Sequence, residues 1–258
     1  MVMPEGESEP RNAREPEMPN AAAPAVVPRM ARPEIHAAAP ALGWYTDHVL
    51  YHEVWNRAGL SRRDRSLVTV AALITGGRMA QLKGHIGRGL SNGVSPTEIV
   101  EVVTHLAFFA GWPNAMSAVP VMTQVFDERE VRVKDLQRTD TAPATSPNPV
   151  RPPSEPLLRA GGPFSATMRA CTSRPVVDEL WNRTELAVRD RSLVTFASVV
   201  ALGEFGDLAV YARRAREDGV QVGELCEAVA HLAFYVGWAR ACAAATVLDG
   251  GLTISTGV

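Results

Sequence analysis

The sequence predicts an all-α protein built from two tandem helical bundles. Three observations carry this. Apolar residues recur at three- and four-residue spacing, a 68-residue block repeats without a gap, and the prolines cluster outside both copies of that block. Of 19 prolines, eight lie in residues 1–40 and seven in 143–163, leaving four elsewhere. Proline breaks helix interiors and removes a backbone donor. Residues 1–40 are therefore expected to form a disordered or extended arm, and 138–163 a linker.

The repeat sets the domain boundaries, 41–137 and 164–250. Residues 55–122 align with 181–248 at a constant offset of 126, with 29 identities in 68 positions. The run Arg63-Asp64-Arg65-Ser66-Leu67-Val68-Thr69 recurs unchanged as Arg189 to Thr195. Trp55-Asn56-Arg57 returns as Trp181-Asn182-Arg183, and His105 to Phe108 as His231 to Phe234. A fixed period of this kind means duplication of one structural unit.

Each element of the first copy can be justified in order. A helix is expected around 44–57. Ser61 with Asp64 resembles a capping box, satisfying free amide donors at a helix start, and Leu67, Val70, Ala71 and Ile74 give that helix an apolar face. A second helix, 78–91, stops at Asn92-Gly93, a pair suited to the left-handed turn after a helix end. Ser95-Pro96-Thr97-Glu98 combines cap, first-turn proline and capping glutamate to open a third. Gly111-Trp112-Pro113 breaks it, and a fourth runs over 114–127.

Composition narrows function. With 26 basic and 28 acidic residues there is no excess charge for a phosphate backbone, so nucleic-acid binding is not expected. No apolar run reaches the roughly 18 residues of a membrane span. The acidic Met1–Pro10 lacks a secretory pattern, which points to the cytoplasm. The cysteines Cys171, Cys226 and Cys242 are odd in number and lack CxxC spacing. Cys226 and Cys242 align with Val100 and Met116 and read as apolar core residues.

The order RDRSLVTVAALITGG, then QLKGHIGRGLSNGVSPTEIVEVVTHLAFFAGWPNAMSA, resembles the carboxymuconolactone decarboxylase family, closely over 41–130 and more loosely over 164–250. The resemblance implies an all-α, cofactor-free enzyme that assembles as a homo-oligomer, here a trimer or dimer of tandem chains. The implied chemistry is acid–base decarboxylation of a small cyclic carboxylate, lactone or aromatic-derived compound. A sister branch, the alkylhydroperoxidase D-like proteins, carries CxxCxxxH. Here those positions hold Arg78, Gln81 and His85, so both thiols that a peroxidase needs are missing. The glutamate common in the family's R-x-R-E run is replaced by Ser66 and Ser192.

His85 is the first catalytic candidate, since its near-neutral pKa suits proton transfer to carbon; the alternative is a surface histidine beside Lys83 and Arg88. His105 lies four residues after Glu101, so the two share a helix face. They read as an acid–base pair or as a packing pair, and both recur as Glu227 and His231. Arg65, within the repeated Arg-Asp-Arg, is a carboxylate anchor or part of an ion network. Tyr45, His48 and His52 are expected at a pocket mouth. The HxxxH spacing matches a metal site only weakly, and no metal is assigned. Gln81 and Trp112 complete the expected substrate-binding set, with Trp112 alternatively a packing anchor. Isomerisation, cyclisation or cofactor-free oxidation on the same scaffold, and a non-catalytic binding role, remain alternatives from sequence.

Overall fold

The computed structural model describes residues 27–132 and 163–251, and every regular element among them is helical. Residues 1–26 of the expected arm and nearly all of the expected linker lie outside the described residues. Residues 27–40 correct the expectation of a disordered or extended arm. They hold a short helix α1 (Pro33–Ala38), and the Met30 and Ala31 amides both donate to Asp47 Oδ1 at 2.7 Å. His36 Nε2 stands 2.9 Å from Asp47 Oδ2. Burial disfavours the Asp47 charge, yet these donors hold its carboxyl below the usual range.

The chain then runs continuously through three helical pitches: α2 (Pro40–Tyr45), a wider π-type stretch Thr46–Glu53, and a 3₁₀ turn Val54–Asn56. The helix expected over 44–57 is this composite path. Next come α3 (Arg62–Thr75), α4 (Met79–Ser91), α5 (Pro96–Phe109) and α6 (Trp112–Glu128). The second copy repeats the order as α7 (Pro163–Thr172), π-type and 3₁₀ stretches to Asn182, α8 (Val188–Leu202), α9 (Leu208–Glu217), α10 (Val222–Val236) and α11 (Trp238–Gly251).

Local signals explain the boundaries. Ser95 Oγ accepts from the Glu98 amide at 3.2 Å while Glu98 Oε2 accepts from the Ser95 amide at 2.7 Å, a complete capping box. At α3 only half of that motif forms. Ser61 Oγ accepts from the Asp64 amide at 3.0 Å, but the Asp64 carboxylate reaches Arg189 of the other copy, also at 3.0 Å. Gly111 sits at φ 90°, where a side chain would be strained, and this ends α5 before α6 turns back.

The two copies share one apolar core. Helices α3 and α8 are buried almost throughout, from Asp64 to Thr75 and from Asp190 to Ala201, and they pack against each other. A helix buried all round is a central helix. Helices α5 and α10 each lie against both. Leu67, Ile74 and Leu106 of one copy belong to the same cluster as Leu193, Phe196 and Leu232 of the other; each fully buried side chain of this size contributes about 1.5–3 kcal/mol. A reciprocal ion network closes the seam: Arg63 Nη2 is 2.7 Å from Asp190 Oδ2, and Arg189 Nη2 is 3.0 Å from Asp64 Oδ2. Among the described residues no helix is long and apolar enough to cross a membrane.

Candidate active site

Because α10 lies against α3, residues of the two copies meet in a first composite site. Trp55 closes the 3₁₀ turn, Arg65 and Thr69 project from α3, and His85 from α4. Glu227, His231 and Tyr235 project from α10. The Tyr235 ring contacts both imidazoles, with centroids 5.3 Å from His85 and 5.1 Å from His231. Trp55 also flanks both, at 6.0 and 5.0 Å, and its Nε1 donates to the Tyr235 hydroxyl at 2.9 Å. Arg88 lies over the Trp55 ring at 5.2 Å.

The hydrogen bonds favour one tautomer of His231. Thr69 Oγ1 gives its single proton to the Arg65 carbonyl at 2.7 Å. It must therefore accept from His231 Nε2 at 2.8 Å, and a neutral ring then keeps its lone pair on Nδ1. The Nδ1 atoms of His231 and His85 are both buried without a hydrogen-bond partner. Burial, reinforced by Arg88, pushes His85 down to about 4. Burial, then Arg65 and His85, pushes His231 down to about 3. Both imidazoles are neutral at physiological pH. Burial likewise raises the Tyr235 phenol, with Tyr51 adding to the shift, so it stays protonated. Beneath them, hydrogen bonds from Arg57 outweigh burial and, with Arg65, hold Glu227 down to about 2.

A second site is built from the counterparts: Trp181, Arg191, Thr195 and Tyr211 with Glu101, His105 and Phe109. His105 Nε2 bonds Thr195 Oγ1 at 2.7 Å, and Thr195 donates to the Arg191 carbonyl at 2.8 Å, so the same tautomer is again favoured. Three differences separate the sites, the first two of them written in the sequence. Tyr211 replaces His85. Phe109 replaces Tyr235, and Trp181 Nε1 is left buried without an acceptor. Arg191 Nη1 approaches His105 Nδ1 at 3.3 Å, covering the lone pair that is unpartnered in the first site.

This arrangement regroups the residues expected from sequence. His85 belongs to the first site, whereas Glu101 and His105 belong to the second, because α5 crosses to α8. Glu101 does not orient His105. Its carboxylate accepts from Arg183 Nε at 2.7 Å and Arg191 Nη1 at 2.9 Å. Arg65 is 0% exposed and pairs with Glu227, so it supports the site from below. Tyr45 is exposed against Trp44, and Gln81 is exposed at the start of α4. His48 stacks on Trp44, with Nδ1 3.1 Å from the Trp44 carbonyl. His52 lines a cavity of about 280 Å³ with Tyr51, Trp55, Arg62 and Arg88. Trp112 is 56% exposed, edge-on to Phe108. Cys226 and Cys242 correct the core expectation: both are exposed and line an apolar groove of about 470 Å³ that reaches His231.

Sequence reasoning missed Tyr235, Thr69 and Trp55 as site residues, and placed the site within the first copy. One signal was available. Within an otherwise repeated His-Leu-Ala-Phe run, the next residue is Phe109 in one copy and Tyr235 in the other, an acid–base group gained by the copy that lost the His85 counterpart.

The family model described as carboxymuconolactone decarboxylase family matches residues 40–124 and 177–250. This chain belongs to that family. The two matched segments of the carboxymuconolactone decarboxylase family contain every residue of both composite sites. Among similar proteins, 4-carboxymuconolactone decarboxylase of Acinetobacter baylyi is 40% identical over 76 residues, covering 30% of this chain and 57% of that protein. Nitrosuccinic acid decarboxylase npaB of Metarhizium robertsii is 35% identical over 75 residues, covering 29% of this chain and 52% of that protein. The chain thus spans little more than half the length of these relatives.

Proposed function

We propose that the chain is a cofactor-independent decarboxylase working by acid–base proton transfer at the first composite site. The substrate class is a small carboxylate with a neighbouring carbonyl or nitro group. The supporting observation is the convergence of His85 with His231 and Tyr235 across the two copies, both imidazoles being neutral. In the reaction the bond to the carboxylate carbon breaks and carbon dioxide leaves. The electron pair passes into the carbonyl or nitro group as an enolate or nitronate, and the former carboxyl-bearing carbon then takes a proton. The Tyr235 hydroxyl stabilises the developing oxyanion. His85, neutral at rest, passes its N–H proton to the carbon and regains one from solvent through its other ring nitrogen, and His231, held by Thr69, offers its Nδ1 lone pair to the substrate as a hydrogen-bond acceptor.

The second copy indicates the direction of substrate approach. A cavity of about 510 Å³ there reaches Phe109 and Tyr211, the counterparts of Tyr235 and His85. Shifted by 126 positions, its lining residues fall on Tyr45, Leu73, Arg78 and Gln81, where Arg78 supplies a cation for the carboxylate. The names of the two relatives point to the probes, 4-carboxymuconolactone and nitrosuccinate, each a carboxylate bearing such an electron sink. The test is carbon dioxide release from both by wild type and His85→Asn. Loss of about 100-fold or more in a natively folded variant is expected for one acid–base group. Undiminished release would remove His85 from the reaction.

A further inference from the structure

The duplication holds one arginine in two different ways. In the second copy Arg214 Nε donates to Asp218 Oδ2 at 2.8 Å, and the Ser192 hydroxyl donates to the same oxygen. Their counterparts in the first copy are Arg88, Asn92 and Ser66. Asn92 keeps the serine contact, its Nδ2 donating to Ser66 Oγ at 2.9 Å, but an amide has no charge to pair with a guanidinium. Arg88 lies instead over the rings of Tyr51, at 4.4 Å, and Trp55, at 5.2 Å. Such π contacts hold the cation while using none of its five N–H donors.

Arg88 lines the cavity of about 280 Å³ that also holds Tyr51, His52 and Arg62. Two further lining positions differ from the second copy in the same sense. Arg62 stands where that copy has Val188, and His52 where it has Asp178. Asn56 Oδ1 accepts from Arg62 Nη2 and so holds this second cation at the cavity. One acid is gained, Asp47 against Ser173. Its carboxylate already accepts from the Met30 and Ala31 amides and faces His36.

We propose that this cavity is a binding site for small carboxylates, with Arg88 as its anchor and Arg62 as its second cation. An arginine fork takes a carboxylate through two parallel hydrogen bonds. Pro28, Met30 and Trp55 give the ligand's carbon body apolar contact, which inorganic phosphate has no carbon to use. The site adjoins the first composite site through Trp55, whose ring flanks His85 and His231. It uses a different cation from Arg78, and it does not rest on the reaction proposed above.

Calorimetric titration of the full chain tests it with succinate, its neutral isostere succinamide, and inorganic phosphate. Succinate offers a carboxylate to each arginine and lacks the electron sink of the proposed reaction, so binding is read without turnover. It is expected to bind about tenfold or more tightly than either other probe. Arg88→Gln should weaken succinate about tenfold or more, whereas Arg214→Gln, in the ion-paired counterpart, should leave its affinity unchanged. Asn92→Asp rebuilds the second copy's ion pair, draws Arg88 away from the cavity and should weaken succinate similarly. This variant keeps the arginine and so guards against a misfolded Arg88→Gln. No succinate binding, succinamide or phosphate binding as tightly, undiminished succinate binding in both Arg88→Gln and Asn92→Asp, or a loss confined to Arg78→Gln would overturn the proposal.

Discussion

Three buried imidazoles should make this protein unusually sensitive to mild acid. His85 and His231 have folded values of about 4 and about 3, and burial, with Arg191 beside it, pushes His105 well below its ordinary value. In the unfolded chain each returns to about 6.5. Below that value the unfolded state binds protons that the folded state refuses, so stability falls with pH. The contribution is complete above about pH 6.5 and declines toward the folded values. Each histidine costs about 1.4 kcal/mol per pH unit in this window, hence about 2 kcal/mol by pH 5. At pH 5 the result for His85 and His231 depends on the unfolded value alone, since both rings are still neutral when folded. Their sum is about 4 kcal/mol, a large part of the whole stability of many domains, and His105 adds to it in the same direction. The same window spares Glu227, whose stabilising shift is lost only as pH falls below the ordinary carboxylate range toward about 2. The assay is urea unfolding followed by circular dichroism at about pH 7.5 and pH 5, for wild type and for His85→Asn, His231→Asn and His105→Asn. His85→Asn and His231→Asn should each reduce the pH difference by about 2 kcal/mol, and His105→Asn should reduce it as well. A wild type equally stable at both pH values, or a triple variant that keeps the full pH dependence, would refute the reasoning.

Other perturbations exploit the duplication as an internal control. His231→Asn and His105→Asn each remove a similar hydrogen bond to a threonine, so both should cost about 1–2 kcal/mol in urea unfolding. Only His231→Asn should lower carbon dioxide release, by about 100-fold or more; equal effects would contradict the assignment of the first site. Tyr235→Phe should leave Trp55 Nε1 without its acceptor, as Trp181 already is, and cost about 1–3 kcal/mol in the same assay. Glu101→Ala strands the fully buried Arg191 and Glu227→Ala strands the equally buried Arg65, so each should cost about 3–5 kcal/mol; a cost below about 1 kcal/mol for either in denaturation would contradict the burial argument. Gly111→Ala, at φ 90°, should cost about 1 kcal/mol or more in melting experiments.

Much of the fold was legible because its causes are local or periodic. The cap at Ser95, the break at Gly111 and the apolar stripe of α3 act within a few residues. The 126-residue offset needs only comparison of the chain with itself. The arm was misread in part because its order depends on Asp47, which collects the Met30 and Ala31 amides and so places α1. Nothing in the proline spacing near residue 30 carries that information. Cys226 and Cys242 were misread because alignment with Val100 and Met116 fixes helix position but not which face finds a neighbour.

The sequence by itself determined that the protein is all-α, duplicated, lacks the paired thiols of the peroxidase branch and retains His85 in one copy only. Tertiary structure alone decided which groups act together. Glu101 and His105 share a helix face four residues apart, yet they serve the second copy's Arg191 and Thr195. Their repeats Glu227 and His231 supply the site of His85. The physical reason is the burial of α3 and α8 against each other. Once these central helices pair, α5 and α10 must each lie against both of them, and each composite site draws on both copies. Spacing along a chain records which side chains share a face, whereas only packing decides what that face meets.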